Sequence, residues 1–188
     1  EAGATFIRTA SLHGLSRDGW ARYAKGGTAI YDVVAPGFKY NMMDIQAALG
    51  LRQLARLDEL QAARATVWSI YDQGLQGLGL DLPPATPPGV VHARHLYQVL
   101  VDADRCGWTR DGLADALAEQ GIGTSVHFRA VHLFSYYAER FGYGRGAFPN
   151  AERIADRTLS LPLSGAMTGA DAERVVEAIR SCLRRQPR

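Results

Sequence analysis

The longest regular hydrophobic pattern of the chain lies between residues 42 and 76, where apolar side chains recur mostly every three or four positions. Positions that define it include Ile45, Ala48, Leu51, Leu54, Leu57, Leu60, Val67, Ile70 and Leu75. This spacing places apolar side chains on one face of an α-helix, so it predicts one helix over about 42–76. Such a helix exceeds the usual length in globular proteins, and we expect it to link two domains or to line a dimer interface.

A proline-rich segment at residues 78–90 ends this pattern, and shorter strand and helix patterns alternate after it. The predicted strands lie at 95–102, at 122–128 and at the end of 150–163, and the longer helices lie at 109–121 and 168–183. This order predicts a small, mainly antiparallel sheet covered by helices, which is an α+β fold. We therefore expect two parts, residues 1–80 with the long helix and residues 81–188 as a small α+β domain.

Local capping signals mark the ends of the last two longer helices. Thr109 is expected as the N-cap of the helix over 109–121, and Gly121 as the left-handed residue at its end. Thr168 and Asp171 have the spacing of a capping box at the start of the final helix.

The first part of the chain has weaker patterns. Residues 1–15 favour a helix, residues 16–33 with Gly26-Gly27 favour a loop or hairpin, and "YDVVAPGF" at 31–38 is a strand-like run that Pro36-Gly37 interrupts. The opening residues lack an initiator Met and read as the middle of a domain. We therefore expect the chain to be a piece of a longer protein.

Composition narrows the class of protein. The chain is 47% hydrophobic and 21% charged, which is typical of a globular domain. A net charge of +2 without an aromatic-basic array does not favour nucleic acid. No apolar run of about 18 residues predicts a membrane span, and no signal peptide is visible. Cys106 and Cys182 have no metal-binding spacing, which favours a reduced, cytoplasmic setting.

No self-contained catalytic motif is present. The glycines of "GYGRG" at 142–146 lack the strand–loop–helix context of a phosphate loop, and no GxSxG or HExxH occurs. The chain has only two lysines, Lys25 and Lys39, against 19 arginines. Any lysine chemistry must therefore use one of these two residues.

The densest polar cluster is "GTSVHFRAVH" at residues 123–132. If 122–128 is a strand, His127 and Arg129 are two positions apart and point to the same side. An imidazole beside a guanidinium suits an anionic or hydroxyl-rich ligand. Alternatively, His127 is a hydrogen-bonded core residue and Arg129 a surface ion pair. A metal site built on His127 and His132 lacks a third ligand nearby.

Asn41 lies in "PGFKYNMMDIQAALG", directly before the long helical pattern. It is expected as a helix N-cap with Asp44 at the third helical position. The N–H groups and dipole at a helix start also suit an anion. Spacing leaves both interpretations open.

Four segments in this order resemble the second half of the DegT/DnrJ/EryC1/StrS aminotransferases: "PGFKYNMMDIQAALGLRQLARLDEL", "HLYQVLVD", "GIGTSVHFRAVH" and "LSLPLSGAMTGADAERVVEAI". The resemblance covers essentially all 188 residues. It implies the C-terminal part of a fold-type I enzyme that uses pyridoxal 5'-phosphate to transfer an amino group from glutamate to a nucleotide-linked keto sugar. "RCGWTRDGL" and "GIGTSVHFRAVH" resemble most the branch that makes UDP-4-amino-4-deoxy-L-arabinose for lipid A modification.

The resemblance also implies what this chain lacks. The family's Schiff-base lysine lies in a Ser-x-x-Lys segment followed by Gly-Glu-Gly-Gly, and neither segment is present here. Lys25 falls in a variable loop, and Lys39 does not match the Schiff-base position. We therefore expect no catalytic residue in this chain, and no transamination by the chain alone. Without the large domain, residues 1–35 and the 42–76 helix would lose their partners and favour self-association.

Three residues match positions of the family's site. Asn41 matches an asparagine that reaches across a homodimer to the cofactor phosphate of the partner subunit. His127 matches the histidine of a T-x-V-H-Y/F segment near the nucleotide-sugar site, and Arg129 is its expected neighbour in substrate binding. Ala130 replaces a proline that is frequent in the family, so the course of this loop is open.

Two other functions remain compatible with the same residues. The chain could be a non-catalytic binding or regulatory module derived from the family, or part of a family dehydratase in which histidine replaces the catalytic lysine. The sequence upstream of Glu1 would distinguish these from the aminotransferase. An α+β domain without enzyme ancestry would not explain four family segments in the family's order.

Overall fold

The computed structural model describes residues 1–15 and 32–185. They form two compact units, Glu1–Ala55 and a second unit that begins at Arg56. The predicted loop or hairpin with Gly26-Gly27, and Lys25 within it, lie outside the described residues. The unit boundary falls at residues 55–56, whereas the division proposed from the sequence lies at residue 80.

The described residues of the first unit, 1–15 and 32–55, include the helices α1 (Ala2–Ser11) and α2 (Asp44–Ala55). Neither helix has a buried residue, while Gly14 and Leu15 after α1 are buried. The predicted helix within residues 1–15 is confirmed. The strand-like run at 31–38 is not a regular strand in its described residues, because its pairing there is the isolated bridge between Leu15 and Val33.

The predicted helix over 42–76 is observed as two helices, α2 and α3 (Leu57–Gly74). The interruption lies at Arg56, whose backbone angles of φ −105° and ψ 9° leave the helical region. Asp58 and Glu59 follow in the first turn of α3, where carboxylates favour a helix start, and Glu59 pairs with Arg56 at 3.1 Å. A single helix over this range was therefore a wrong prediction.

The second unit contains a three-stranded antiparallel sheet in the order β1–β2–β3. The strands are β1 (Leu80–Asp81), β2 (Tyr97–Val101) and β3 (Thr158–Leu161). The shorter helices are α4 (Ala103–Cys106), α5 (Arg110–Ala118), α6 (Ser135–Phe141) and α7 (Pro149–Arg157), and the last helix is α8 (Gly169–Arg184). The predicted α+β class with a small antiparallel sheet is confirmed.

The core of this unit lies between the sheet and helices α3, α5 and α8. In β2 the buried positions alternate, whereas all four residues of β3 are buried.

Both predicted caps are observed: the Thr109 side chain accepts a hydrogen bond from the Gly112 N–H, and Thr168 and Asp171 form a complete capping box. Helix α5 ends at Ala118, and Gly121 follows with φ +71°.

The predicted strand over 122–128 is not observed. Its backbone pairs with β3 only at the isolated bridge between Ser125 and Ser160. Residues 122–128 therefore form a loop along one edge of β3, and the assumption that His127 and Arg129 share one face of a strand is wrong.

Cys106 is half-buried, Cys182 is buried and both are free thiols. No helix among residues 1–15 and 32–185 is long and apolar enough to cross a membrane.

Candidate functional site

His127 is held against β3 by its side chain and by its backbone. Its ring Nδ1 lies 2.8 Å from the Ser160 Oγ, and its carbonyl accepts a hydrogen bond from the Gln98 Nε2 at 2.5 Å. Ser160 is buried, and the His127 side chain is half-buried. The ring orientation is therefore fixed from the sheet side, with Nδ1 engaged.

The residues that hold His127 come from two neighbouring strands. Gln98 of β2 lies opposite Ser160 of β3 in the sheet register, and the Gln98 Nε2 also lies 3.5 Å from the Thr158 Oγ1. Sequence reasoning missed Ser160 and Gln98. Their signal is polarity within otherwise apolar strands, in "YQVLV" and "TLSL". A buried polar side chain requires a hydrogen-bond partner, and here the partner is the His127 loop.

Arg129 has different partners from His127. Its Nη2 donates to the Leu133 carbonyl at 3.0 Å, and its guanidinium carbon lies 5.4 Å from the centre of the Phe134 ring. The side chain is exposed. These contacts with its own loop use part of the guanidinium and leave N–H groups facing solvent.

His132 is buried and paired with a carboxylate. Its Nε2 lies 2.9 Å from the Glu152 Oε1, and both side chains are 8% exposed. Hydrogen bonds from the backbone N–H of Gly146, and then of Phe148, hold the pKa of Glu152 below its ordinary value, and His132 acts in the same direction. The described part of the chain has no group of three or more His, Cys, Asp or Glu able to hold a metal ion. His132 therefore belongs to a structural pair that anchors the loop before α7.

Asn41 is exposed and lies three residues before the start of α2. The residue at the N-cap position is Met43, whose N–H donates to the Gln46 Oε1 at 3.0 Å. This contact has the geometry of the second half of a capping box, with glutamine three residues after the cap. The assignment of Asn41 as the helix cap is therefore wrong, because Gln46 sets the helix start two residues later.

Lys39 is exposed, and it forms an isolated backbone bridge with Leu12. The rings of Phe38 and Tyr40 on either side of it are stacked, with their centres 5.0 Å apart and an angle of 3° between their planes. Asn41 and Lys39 belong to the first unit, and His127 and Arg129 to the second.

The chain is similar to known sugar-biosynthetic proteins. It is 44% identical over 179 residues to the spore coat polysaccharide biosynthesis protein SpsC of Bacillus subtilis (strain 168), covering 95% of this chain and 46% of SpsC. The putative sugar aminotransferase Spr1654 from Streptococcus pneumoniae, in its PMP form, superimposes with a TM-score of 0.80 at 28% identity, over 97% of this chain and 45% of that one. The aminotransferase TlmJ from Streptoalloteichus hindustanus gives a TM-score of 0.75 at 32% identity, over 96% and 45%.

This chain therefore spans less than half the length of the relatives that it matches. Within that span the likeness is continuous, because the DegT/DnrJ/EryC1/StrS aminotransferase family matches residues 1–180. The chain belongs to the DegT/DnrJ/EryC1/StrS aminotransferase family.

Proposed function

We propose that this chain is the C-terminal part of a cytoplasmic, homodimeric aminotransferase that uses pyridoxal 5'-phosphate to transfer an amino group from glutamate to a nucleotide-linked keto sugar. The observation that carries the proposal is the continuous match to the family together with the likeness to a sugar aminotransferase in its PMP form. Similarity to a polysaccharide biosynthesis protein supports a nucleotide-linked sugar as substrate.

On the substrate side, His127 and Arg129 are the proposed contacts. Because Nδ1 of His127 is engaged by Ser160, its Nε2 is the ring nitrogen available to a sugar hydroxyl or a phosphate oxygen. The exposed guanidinium of Arg129 suits the diphosphate of a nucleotide sugar, since arginine forms paired hydrogen bonds with phosphate oxygens. Because Ser160 and Gln98 of the sheet already hold His127 in place, less conformational entropy is lost when substrate binds to it.

On the cofactor side, Asn41 is the proposed contact to the phosphate of the cofactor in the partner subunit. Its amide can donate two hydrogen bonds, it is exposed, and the exposed Lys39 adds a cation to the same segment. The donor chemistry of this segment fits a phosphate group. Asp44 in the first turn of α2 opposes an anion at the helix start itself, so the proposed contact is the Asn41 side chain and not the helix end.

The cofactor, when bound, supplies the electron sink that allows an amine to be exchanged. Covalent attachment of this cofactor needs a lysine. Lys39 lies in an exposed segment that does not match the family's lysine position, and Lys25 lies outside the described residues. We therefore propose that this chain alone does not transaminate.

Adding pyridoxal 5'-phosphate to the 188-residue chain tests this proposal. The expected result is no visible absorption band of a lysine-bound cofactor. A band that disappears in Lys39→Ala, together with amino transfer from glutamate, would show that the chain carries its own catalytic lysine.

The function itself is tested on the product of the gene that encodes this sequence. Conversion of glutamate to 2-oxoglutarate is measured with a panel of nucleotide-linked keto sugars, including the keto precursor of UDP-4-amino-4-deoxy-L-arabinose. His127→Ala and Arg129→Ala are expected to raise KM for the sugar by about tenfold or more each, since each removes a hydrogen bond to a charged group. His95→Ala and Arg153→Ala, at exposed positions of the same unit, are the matched controls. Activity on no keto sugar would contradict the proposal and favour a binding module.

A further inference from the structure

The segment that carries Asn41 has almost no buried side chain. Every residue from Phe38 to Gln46 is exposed, and the exposed fractions of its large hydrophobic side chains begin at 59% for Phe38 and reach 75% for Ile45. Without an apolar anchor, a segment keeps one position only through its backbone contacts. The position of Asn41 therefore depends on where the backbone of residues 34–40 is attached.

That backbone is attached to the end of α1 and to the turn after it. The donor and acceptor pairs are His13 N with Phe38 O, Val34 N with Gly14 O, Phe38 N with Ala10 O, and Tyr40 N with Ser11 O, all at 2.7–2.8 Å. The Leu12–Lys39 bridge lies between these pairs. We call residues 10–15 and 34–40 the glycine crossing, because a glycine stands at the closest approach on each side.

Gly14 is the glycine of the first segment. It is buried and has φ +71°, a backbone conformation that glycine adopts readily and other residues rarely adopt. A Cβ at this position would lie 1.6 Å from the Ala35 carbonyl oxygen. That oxygen is backbone, so a side chain at Gly14 would displace the second segment.

Gly37 is the glycine of the second segment. A Cβ there would lie 2.1 Å from the Gly14 nitrogen, 2.6 Å from the His13 carbonyl carbon and 2.9 Å from the Ala10 carbonyl oxygen. All three atoms are backbone atoms of the segment that donates to and accepts from residues 34–40. Gly37 therefore leaves room for the backbone of His13 and Gly14, and Gly14 leaves room for the backbone of Ala35.

We propose that Gly14 and Gly37 are positioning residues for Asn41. By allowing the two backbones to touch, they fix the segment Lys39–Asn41 so that the Asn41 amide points to a phosphate without any burial of the segment's own side chains. This inference rests on the proposed role of Asn41 at a phosphate.

The first test measures amide hydrogen exchange in the 188-residue chain. Gly14→Ala and Gly37→Ala are expected to accelerate exchange at the amides of Val34, Phe38 and Tyr40 by about tenfold or more, because the hydrogen bonds of the crossing are broken. Amides of the second unit serve as an internal control and should not change. Unchanged exchange at these amides in both folded variants would overturn the proposal.

Two glycines of the second unit provide matched controls. Gly142 has the same φ of +71° as Gly14, whereas Gly144 has no positive φ. A Cβ added at either position would meet no atom within 4 Å. Gly142→Ala therefore reproduces the backbone strain of Gly14→Ala without its collision. Acceleration at Val34, Phe38 and Tyr40 in these controls would also overturn the proposal. If Gly14→Ala does not fold, Gly37→Ala, whose strain is steric alone, gives the answer.

The second test separates positioning from the function that it serves. Inorganic phosphate is titrated into the chain while the side-chain amide signal of Asn41 is followed by NMR. A phosphate-dependent shift that is lost in Gly14→Ala and Gly37→Ala but kept in Gly142→Ala is the expected result.

Asn41→Ala should keep slow exchange at the crossing, because the Asn41 side chain has no hydrogen-bond partner in the described residues. Loss of the shift with unchanged exchange would overturn the positioning role. No shift in the unmodified chain would count against the phosphate role, while exchange alone would still decide whether the glycines fix the segment.

Discussion

Ser160 determines which nitrogen of the His127 ring can meet a ligand, because its hydroxyl lies 2.8 Å from Nδ1. Ser160→Ala is expected to free the ring while Gln98 still binds the His127 carbonyl and keeps the loop in place. The measurable result is a change in the ring ¹⁵N shifts of His127, which report its tautomers, with a loss of unfolding free energy of about 1 kcal/mol. Ser135→Ala, at an exposed position, is the control. Unaltered ring shifts in Ser160→Ala would contradict this orientation of His127.

Glu152 links stability to pH. Its carboxylate accepts hydrogen bonds from the N–H groups of Gly146 and Phe148 and lies 2.9 Å from His132, with Arg145 at 3.9 Å. The backbone bonds from Gly146 are the largest cause of its lowered pKa in the folded state. A lowered folded pKa means that the carboxylate stabilises the fold above the ordinary value near 4.5, and that this stabilisation is lost as pH falls through the folded value.

Glu152→Gln should therefore unfold more easily than the unmodified chain at neutral pH, because one carboxylate oxygen becomes an N–H group facing other donors. The difference in unfolding free energy should shrink as pH falls below 4.5. Urea unfolding at several pH values measures it, with Glu139→Gln at an exposed position as control. A difference that stays constant down to strongly acidic pH would mean that the charge of Glu152 is not the stabilising element.

At the residue scale, the sequence indicated the polar loop but not what fixes it. His127 and Arg129 stood out because polar residues are dense at 123–132, and the resemblance gave them roles. Ser160 could not be found in this way, since it lies 33 residues from His127 and only chain folding brings them together. The cap assignment of Asn41 failed because the helix begins at Asp44, where the Gln46 side chain accepts a hydrogen bond from the Met43 N–H.

Helices α3 and α8 pack so closely at Gly74 that the position has no room for a side chain. A Cβ there would lie 2.6 Å and 2.8 Å from the two methyl carbons of Val176 and 3.3 Å from its Cβ. Gly74→Ala is expected to lower the unfolding free energy by about 1–3 kcal/mol through overpacking, although alanine alone would favour the helix by about 1 kcal/mol.

The collision predicts a rescue. Val176→Ala removes both methyl groups, so Gly74→Ala should cost less in that background, and a double-mutant cycle of urea unfolding measures the coupling. Gly50→Ala in α2, where a built Cβ meets nothing within 4 Å, should not destabilise its unit. Additive effects of Gly74→Ala and Val176→Ala would show that the two positions do not collide.

At the element scale, local signals predicted well and non-local ones did not. The predicted caps at Thr109 and Thr168 were correct because each cap depends only on a few consecutive residues. The strand over 122–128 was wrong because strand formation depends on a partner, and β3 pairs with that segment at Ser160 alone. The predicted helix over 42–76 is interrupted at Arg56. The apolar pattern does not show this break because it continues on both sides of Arg56, whereas the backbone angles of Arg56 and its ion pair with Glu59 mark the break.

At the scale of the whole molecule, the sequence predicted the α+β class and the family, because both depend on the order of many short patterns. The division into units was harder to predict. The proline-rich segment at 78–90 suggested a boundary, yet α3 packs against α8 and so belongs to the second unit. The unit to which α3 belongs is decided by packing between residues more than 90 positions apart. The hydrophobic periodicity along the chain gives no information about such packing.

The first unit leaves apolar surface uncovered, and this predicts self-association of the chain. In α1, Phe6 and Ile7 are 69% and 66% exposed, and in α2, Ile45 and Leu49 are 75% and 63% exposed. Exposed apolar side chains in such numbers favour binding to another protein surface. Light scattering or sedimentation of the 188-residue chain should show a mass that rises with protein concentration.

Leu49→Glu should shift the equilibrium toward the monomer because it places a charge within the apolar face of α2, whereas Gln53→Glu adds the same charge at an exposed polar position and should have less effect. A chain that stays monomeric at high concentration, with the amides of residues 1–15 protected, would show that these helices need no partner.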